Sequence, residues 1–230
     1  MWSQRTTTVS KRPRSNHGVQ RTASSARYVA ASGSNGVVMR EGDDLFFAPG
    51  VRFGDVDLSG PDLAEQYCAR INGFYLVPAQ LCVERGYAFA AGLLLVSTID
   101  FMAGLHHSAE DLADRSVGAD FRRFARHKLQ SFHSGDLAQR LYDEFRNGLA
   151  HEARIKNAGE FSFDWPQTVR LAGGRLCINP AWLLREVEAA LDQQIAELTQ
   201  DEAKCEEAAE RLCKLFAKEF GIVQKARRAV

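Results

Sequence analysis

The sequence predicts a mainly α fold: a helical bundle with a short β-hairpin insertion and extra C-terminal helices. Three observations carry that expectation. Tyr87 to Ile99 is apolar nearly all round, as the central helix of a bundle is. Between 118 and 151 apolar residues recur every three or four positions, with charges on the other side. After about residue 160 the pattern changes to alternation, and Gly173-Gly174 separates two short apolar runs, a hairpin signal.

The elements follow in order. Residues 1–40 are rich in Ser, Thr, Arg and Gly and read as a disordered basic tail. They are superficially like an organelle transit peptide, and Met39 is an alternative start. Residues 41–60 hold short apolar pieces such as Leu45-Phe46-Phe47, broken by Pro49, Gly50, Gly54 and Gly60, and read as an irregular arm. The main domain is expected over 61–220. Its first helix opens at Ser59-Gly60-Pro61-Asp62, with Pro61 in the first turn, and runs to about Val77, where Pro78 ends or kinks it. A second spans about Glu84 to His106. A third, Gly118 to Phe132, sets Phe121, Phe124, Leu129 and Phe132 on one side and Arg122, Arg123, Arg126 and Lys128 elsewhere. The fourth starts at Gly135 or Asp136 and ends near His151. The hairpin occupies about 160–178. Asn179-Pro180 then starts a helix, with Asn as N-cap. Helices are expected from Ala181 to about Leu198 and from Asp201 to Phe220, leaving 221–230 as a frayed tail.

The formal net charge is zero, yet residues 1–40 carry seven cations and no acid, so the rest of the chain is at −7. A mildly acidic body excludes a protein that coats nucleic acid through net charge; any RNA must be attracted by local basic residues. The five cysteines are odd in number and lack C-x-x-C or zinc spacing. They imply free thiols in a reducing compartment, so a cytoplasmic location is expected, with no cofactor and no metal. The apolar run stops at Asp100, short of the roughly 18–20 residues that span a bilayer, so no membrane partner is expected.

The most informative stretch is Arg146-Asn147-Gly148-Leu149-Ala150-His151. On a helix at about 100° per residue, Ala138, Leu141, Tyr142, Phe145 and Leu149 share one arc, and Asp143, Glu144, Asn147 and His151 the opposite one. Asn147 and His151 are neighbours one turn apart. Arg146 lies about 140° from His151 and must wrap round to reach it. Gly148 costs about 1 kcal/mol of helix propensity, which suggests close approach of another segment or a ligand. The set suits phosphodiester cleavage without a metal. Histidine can take the proton of a ribose 2′-OH or give one to the leaving 5′-oxygen. Arginine can hold the phosphate through paired hydrogen bonds, and asparagine can orient either. Glu144, two turns before His151, is placed to support it.

The segment Leu141 to Glu152 resembles the HEPN superfamily, whose signature is Arg, a polar residue, about three variable residues, then His. Arg146, Asn147 and His151 match it. The resemblance covers about 61–151 and implies an up-down helical bundle. It also implies an endoribonuclease that needs no metal, cuts by 2′-OH attack and works as a homodimer, in toxin–antitoxin or phage-defence settings. An antitoxin or nucleotidyltransferase is the partner it suggests. Other members have lost activity and only bind nucleotides or proteins, so an inactive binding module is the alternative, and a purely structural helical adaptor a third.

Outside the motif, Asp100 stands in the apolar helix and must be paired with an arginine or face a cleft, where it would meet the motif helix. Arg154 and Lys156 follow the motif closely enough to meet an RNA backbone. His106-His107 lack metal-ligand spacing and suit a helix C-terminus. Arg122, Arg123, Arg126, His127 and Lys128 form either an RNA-contacting stripe or a solvated face.

Overall fold

The computed structural model describes residues 40–41, 44–58, 60, 62–106 and 116–228. Residues 1–39 of the expected tail, Ser59 and Pro61 of the first helix start, and His107 lie outside the described residues.

The fold is mainly α with two small sheets. Residues 41–60, expected to be irregular, form an antiparallel sheet of β1 (Arg40–Glu41), β2 (Asp44–Ala48) and β3 (Val51–Arg52). Phe47 and Phe53 are buried, and each meets Phe216 edge-on. The covering ring therefore comes from the far end of the chain, which local composition does not reveal.

The first helix does not end at Pro78. α1 (Leu63–Ile71) continues through a π-helical turn, Asn72–Leu76, into α2 (Val77–Glu84). Val77 N–H bonds back five residues to the Asn72 carbonyl, so the backbone widens just before the residue that lacks an N–H. Gly86, with φ +76°, makes the turn into α3 (Ala88–Leu105). Asp100 is inside α3, not at its end.

α3 packs on α2, on α4 (Val117–Lys128) and on α7 (Pro180–Gln200). Among the described residues it alone is long and apolar enough to cross a membrane by length and composition, and half of it is buried in the body. Leu95, Ile99 and Met102 are fully buried there. Tyr67 of α1 donates to Gln194 Oε1 of α7 at 3.0 Å, and Gln194 Nε2 donates to the Met102 carbonyl at 3.3 Å. One buried polar chain thus ties three helices, and burial drives the Tyr67 phenol above its ordinary pKa.

Ser116 caps α4 by accepting from the Ala119 N–H, and a 3-10 turn, Gln130–Phe132, follows. The motif helix runs from α5 (Gly135–Arg140) through a second π turn, Leu141–Arg146, into α6 (Asn147–Glu152). The expected hairpin is β5 (Val169–Ala172) against β6 (Arg175–Ile178), turning through Gly173 and Gly174 at φ +57° and +79°. β4 (Glu160–Phe161), at the start of the expected alternating stretch, pairs in parallel with β6. Asn179 Oδ1 caps α7 through the Ala181 N–H, as expected. The C-terminal stretch is two helices, α8 (Glu202–Leu215) and α9 (Ala217–Arg228), so 221–228 continues a helix where a frayed tail was expected. All five cysteines are free.

Candidate functional site

The π turn ends on Arg146, and the Asn147 N–H bonds five residues back to the Tyr142 carbonyl. Wider turns of this kind recur at functional sites. Beyond it, α6 presents Asn147 and His151 one turn apart. Arg146 bends round to join them: Nη1 donates to Asn147 Oδ1 at 3.3 Å and to His151 Nε2 at 3.4 Å.

The other edge of the guanidinium faces Asp100 across the interface with α3. Nη2 lies 3.0 Å and Nε 3.3 Å from Asp100 Oδ2. Sequence separation between the pair is 46 residues. Asp100 therefore meets both expectations at once, an arginine partner and a place beside the motif helix. Its Oδ1 is buried with no hydrogen-bond partner among the described residues. Asp100 also lines a cleft of about 350 Å³, with Phe101, Gly104, Val117, Asp120 and Leu215. The structure thus gathers Asp100, Arg146, Asn147 and His151 into one cluster, with His151 exposed at its rim.

Glu144 does not join it. A uniform wheel sets Glu144 two whole turns before His151, but the wider π turn, Leu141–Arg146, shifts the phase between them. Glu144 is buried, and its carboxylate takes Nε and Nη2 of Arg140 at 2.6 and 3.2 Å. Supporting His151 directly is therefore not what Glu144 does; it anchors Arg140, which also donates to the Gly174 carbonyl at 2.9 Å.

Arg154 and Lys156 stay 62% and 32% exposed and share one carboxylate partner. Both bond Glu152, at 2.6 Å each, and these partners, Lys156 foremost, hold the Glu152 carboxyl below its ordinary range. The chain reaches them by folding back sharply. Ala153 ends α6 at φ +52°, the Arg154 N–H bonds the Gly148 carbonyl, and the Lys156 N–H bonds the Glu144 carbonyl at 2.9 Å. A Cβ on Gly148 would lie 2.3 Å from the Arg154 carbonyl oxygen. The close neighbour that Gly148 implied is this returning loop.

Two further residues stand beside the site that the sequence alone does not place there. Tyr142, one turn before Arg146, has that guanidinium 5.7 Å from its ring centroid, and Arg122 of α4 at 5.3 Å. The available signal was an aromatic at i−4 from the motif arginine. Arg122 was legible only as one member of a basic stripe; its place beside Tyr142 depends on how α4 packs on the motif helix. His106 packs edge-on against Phe124 at the end of α3. Among the described residues no group of three or more His, Cys, Asp or Glu side chains gathers as metal ligands do.

No family model, no curated protein and no solved structure matches the chain.

Proposed function

We propose that the protein is a HEPN-type endoribonuclease that cuts RNA by attack of the ribose 2′-OH, leaving a 2′,3′-cyclic phosphate. In this reading His151 is the general acid/base, Arg146 the phosphate anchor and Asn147 the orienting residue. The observation that supports it is the guanidinium of Arg146, which spans from Asp100 to Asn147 and His151. A fork fixed on one edge offers its other edge to an anion with little entropy left to lose. A scissile phosphate would enter between Nη1 and Nε2, replacing their 3.4 Å contact. The imidazole then meets the 2′-oxygen while the guanidinium opposes the developing charge.

Homodimer formation and a toxin–antitoxin or phage-defence role, with an antitoxin or nucleotidyltransferase partner, belong to the same reading. Exposed apolar pairs one turn apart, Val77 and Leu81 on α2, Phe89 and Leu93 on α3, are compatible with a subunit contact.

The alternative is a binding module that holds a nucleotide or protein without cleavage. It is favoured by the pairing of the local cations: Arg146 with Asp100, Arg154 and Lys156 with Glu152. Purified full-length protein, with Arg146→Ala and His151→Ala variants, decides between them on mixed RNA in the presence of EDTA. Cyclic-phosphate products from wild type alone support cleavage. Equal activity in all three, or none in any, overturns it. Nucleotide binding that survives His151→Ala and is lost with Arg146→Ala, without products, selects the binding module.

A further inference from the structure

A second cleft, sharing no residue with the Asp100–His151 cluster, opens at the N-terminus of α7. It has a volume of about 420 Å³ and is walled by Phe163, Trp165, Pro166 and Trp182, with Asp164 and Asn179 at its polar edge. Trp182 stands 37% exposed on the first turn of α7, an unusual place for so large a ring in water. The Arg185 guanidinium lies 4.6 Å from the Trp182 ring centroid, and that of Arg170 lies 5.8 Å from Trp165. Trp165 is 8% exposed, and its indole N–H is buried with no hydrogen-bond partner among the described residues. Asp164 is engaged locally, taking the Ser162 hydroxyl at 2.7 Å. The α7 helix behind the cleft is 21 residues long and turns its positive end to this side.

We infer that this cleft binds single-stranded nucleic acid, with bases stacked on Trp182 and Phe163 and phosphates met by Arg170 and Arg185. Every base has a π face, so an aromatic platform takes a strand without regard to sequence. A guanidinium beside each indole supplies the paired donors that a phosphate oxygen needs. A duplex, whose bases are stacked on each other, cannot use the platform. A proline-rich peptide would suit the rings but brings no anion for the two arginines.

Fluorescence anisotropy with the full chain tests this on labelled single-stranded RNA and DNA of about 12 nucleotides. Both single strands should bind at low salt, at least about tenfold more tightly than a duplex of the same length, and Trp fluorescence should fall on binding. Trp182→Ala should weaken binding by about tenfold or more, and Arg185→Glu should weaken it and flatten its salt dependence. Both side chains are on the surface, so circular dichroism should show the fold intact. Single-stranded DNA lacks the 2′-OH that the cleavage reading requires, so its binding and its loss in Trp182→Ala separate this cleft from that reading. Absence of binding, equal or better binding of duplex, affinity unchanged in both variants, or capture of a proline-rich peptide in place of the oligonucleotides would overturn the inference.

Discussion

Arg146 and His151 meet at 3.4 Å although helix geometry sets them on different faces of the motif helix. The contact exists because the arginine is long, forked and held from behind. A lysine would keep the charge but could not engage Asp100 with one edge and Asn147 with the other. Under the cleavage reading, Arg146→Lys should therefore fall about as far as Arg146→Ala, by roughly 10²-fold or more in single-turnover rate. A lysine variant within a few-fold of wild type would show that only charge matters there.

Under the cleavage reading Asp100 contributes position, not chemistry. Removing its carboxylate in Asp100→Ala releases Nε and Nη2 of Arg146 together. Cleavage should slow by about tenfold or more, with the pH–rate profile keeping its midpoints, because His151 is untouched. Thermal stability should fall too: the two side chains are only 18% and 28% exposed, so the variant leaves a largely buried guanidinium without its counter-ion, which costs more than the loss of a surface pair. Shifted midpoints would instead make Asp100 part of the proton chemistry.

The motif helix ends in a pair of residues that defy propensity. Gly148→Ala favours the helix by about 1 kcal/mol, yet its Cβ would meet the Arg154 carbonyl at 2.3 Å. Backbone cannot yield as a side chain can, so we expect a loss of about 2–3 kcal/mol, read as a drop of roughly 5–10 °C in Tm. Ala153→Gly goes the other way. Ala153 sits at φ +52°, where a Cβ is disfavoured and glycine relaxed, so stability should hold or rise by up to about 1 kcal/mol. Both signs follow from the returning loop, and reversal of either in a thermal melt would contradict it.

What was legible in the chain was periodicity and local chemistry. Asn179-Pro180 started a helix, Gly173-Gly174 turned a hairpin, and a carboxylate in an apolar helix found an arginine. The π turns were not legible, since a widened turn leaves the same amphipathic composition. Glu144, inside the second π turn, pairs with Arg140 four residues back and not with His151. The β1–β3 sheet was hidden because Phe216 and Phe220 cover Phe53 from the other end of the chain. The pairing of Lys156 with Glu152 was legible from their i, i+4 spacing, whereas that of Arg154 depends on how the loop returns.

Glu197 makes the pH dependence of the body testable. Burial alone would raise its carboxyl pKa, but Lys128, whose Nζ lies 2.5 Å away, and then Lys204 turn the net shift downward. A carboxylate with a depressed folded-state pKa contributes stability above its unfolded value, 4.5, and loses it as pH falls through the lower folded value. The Lys128 side chain is 6% exposed, so the pair resists salt better than a surface pair does. Glu197→Gln should thus lower Tm at neutral pH, and the gap between variant and wild type should close below about pH 4. Melts across that range decide the matter: a gap that stays constant, or that opens on acidification, would mean that Glu197 is not held ionised by Lys128.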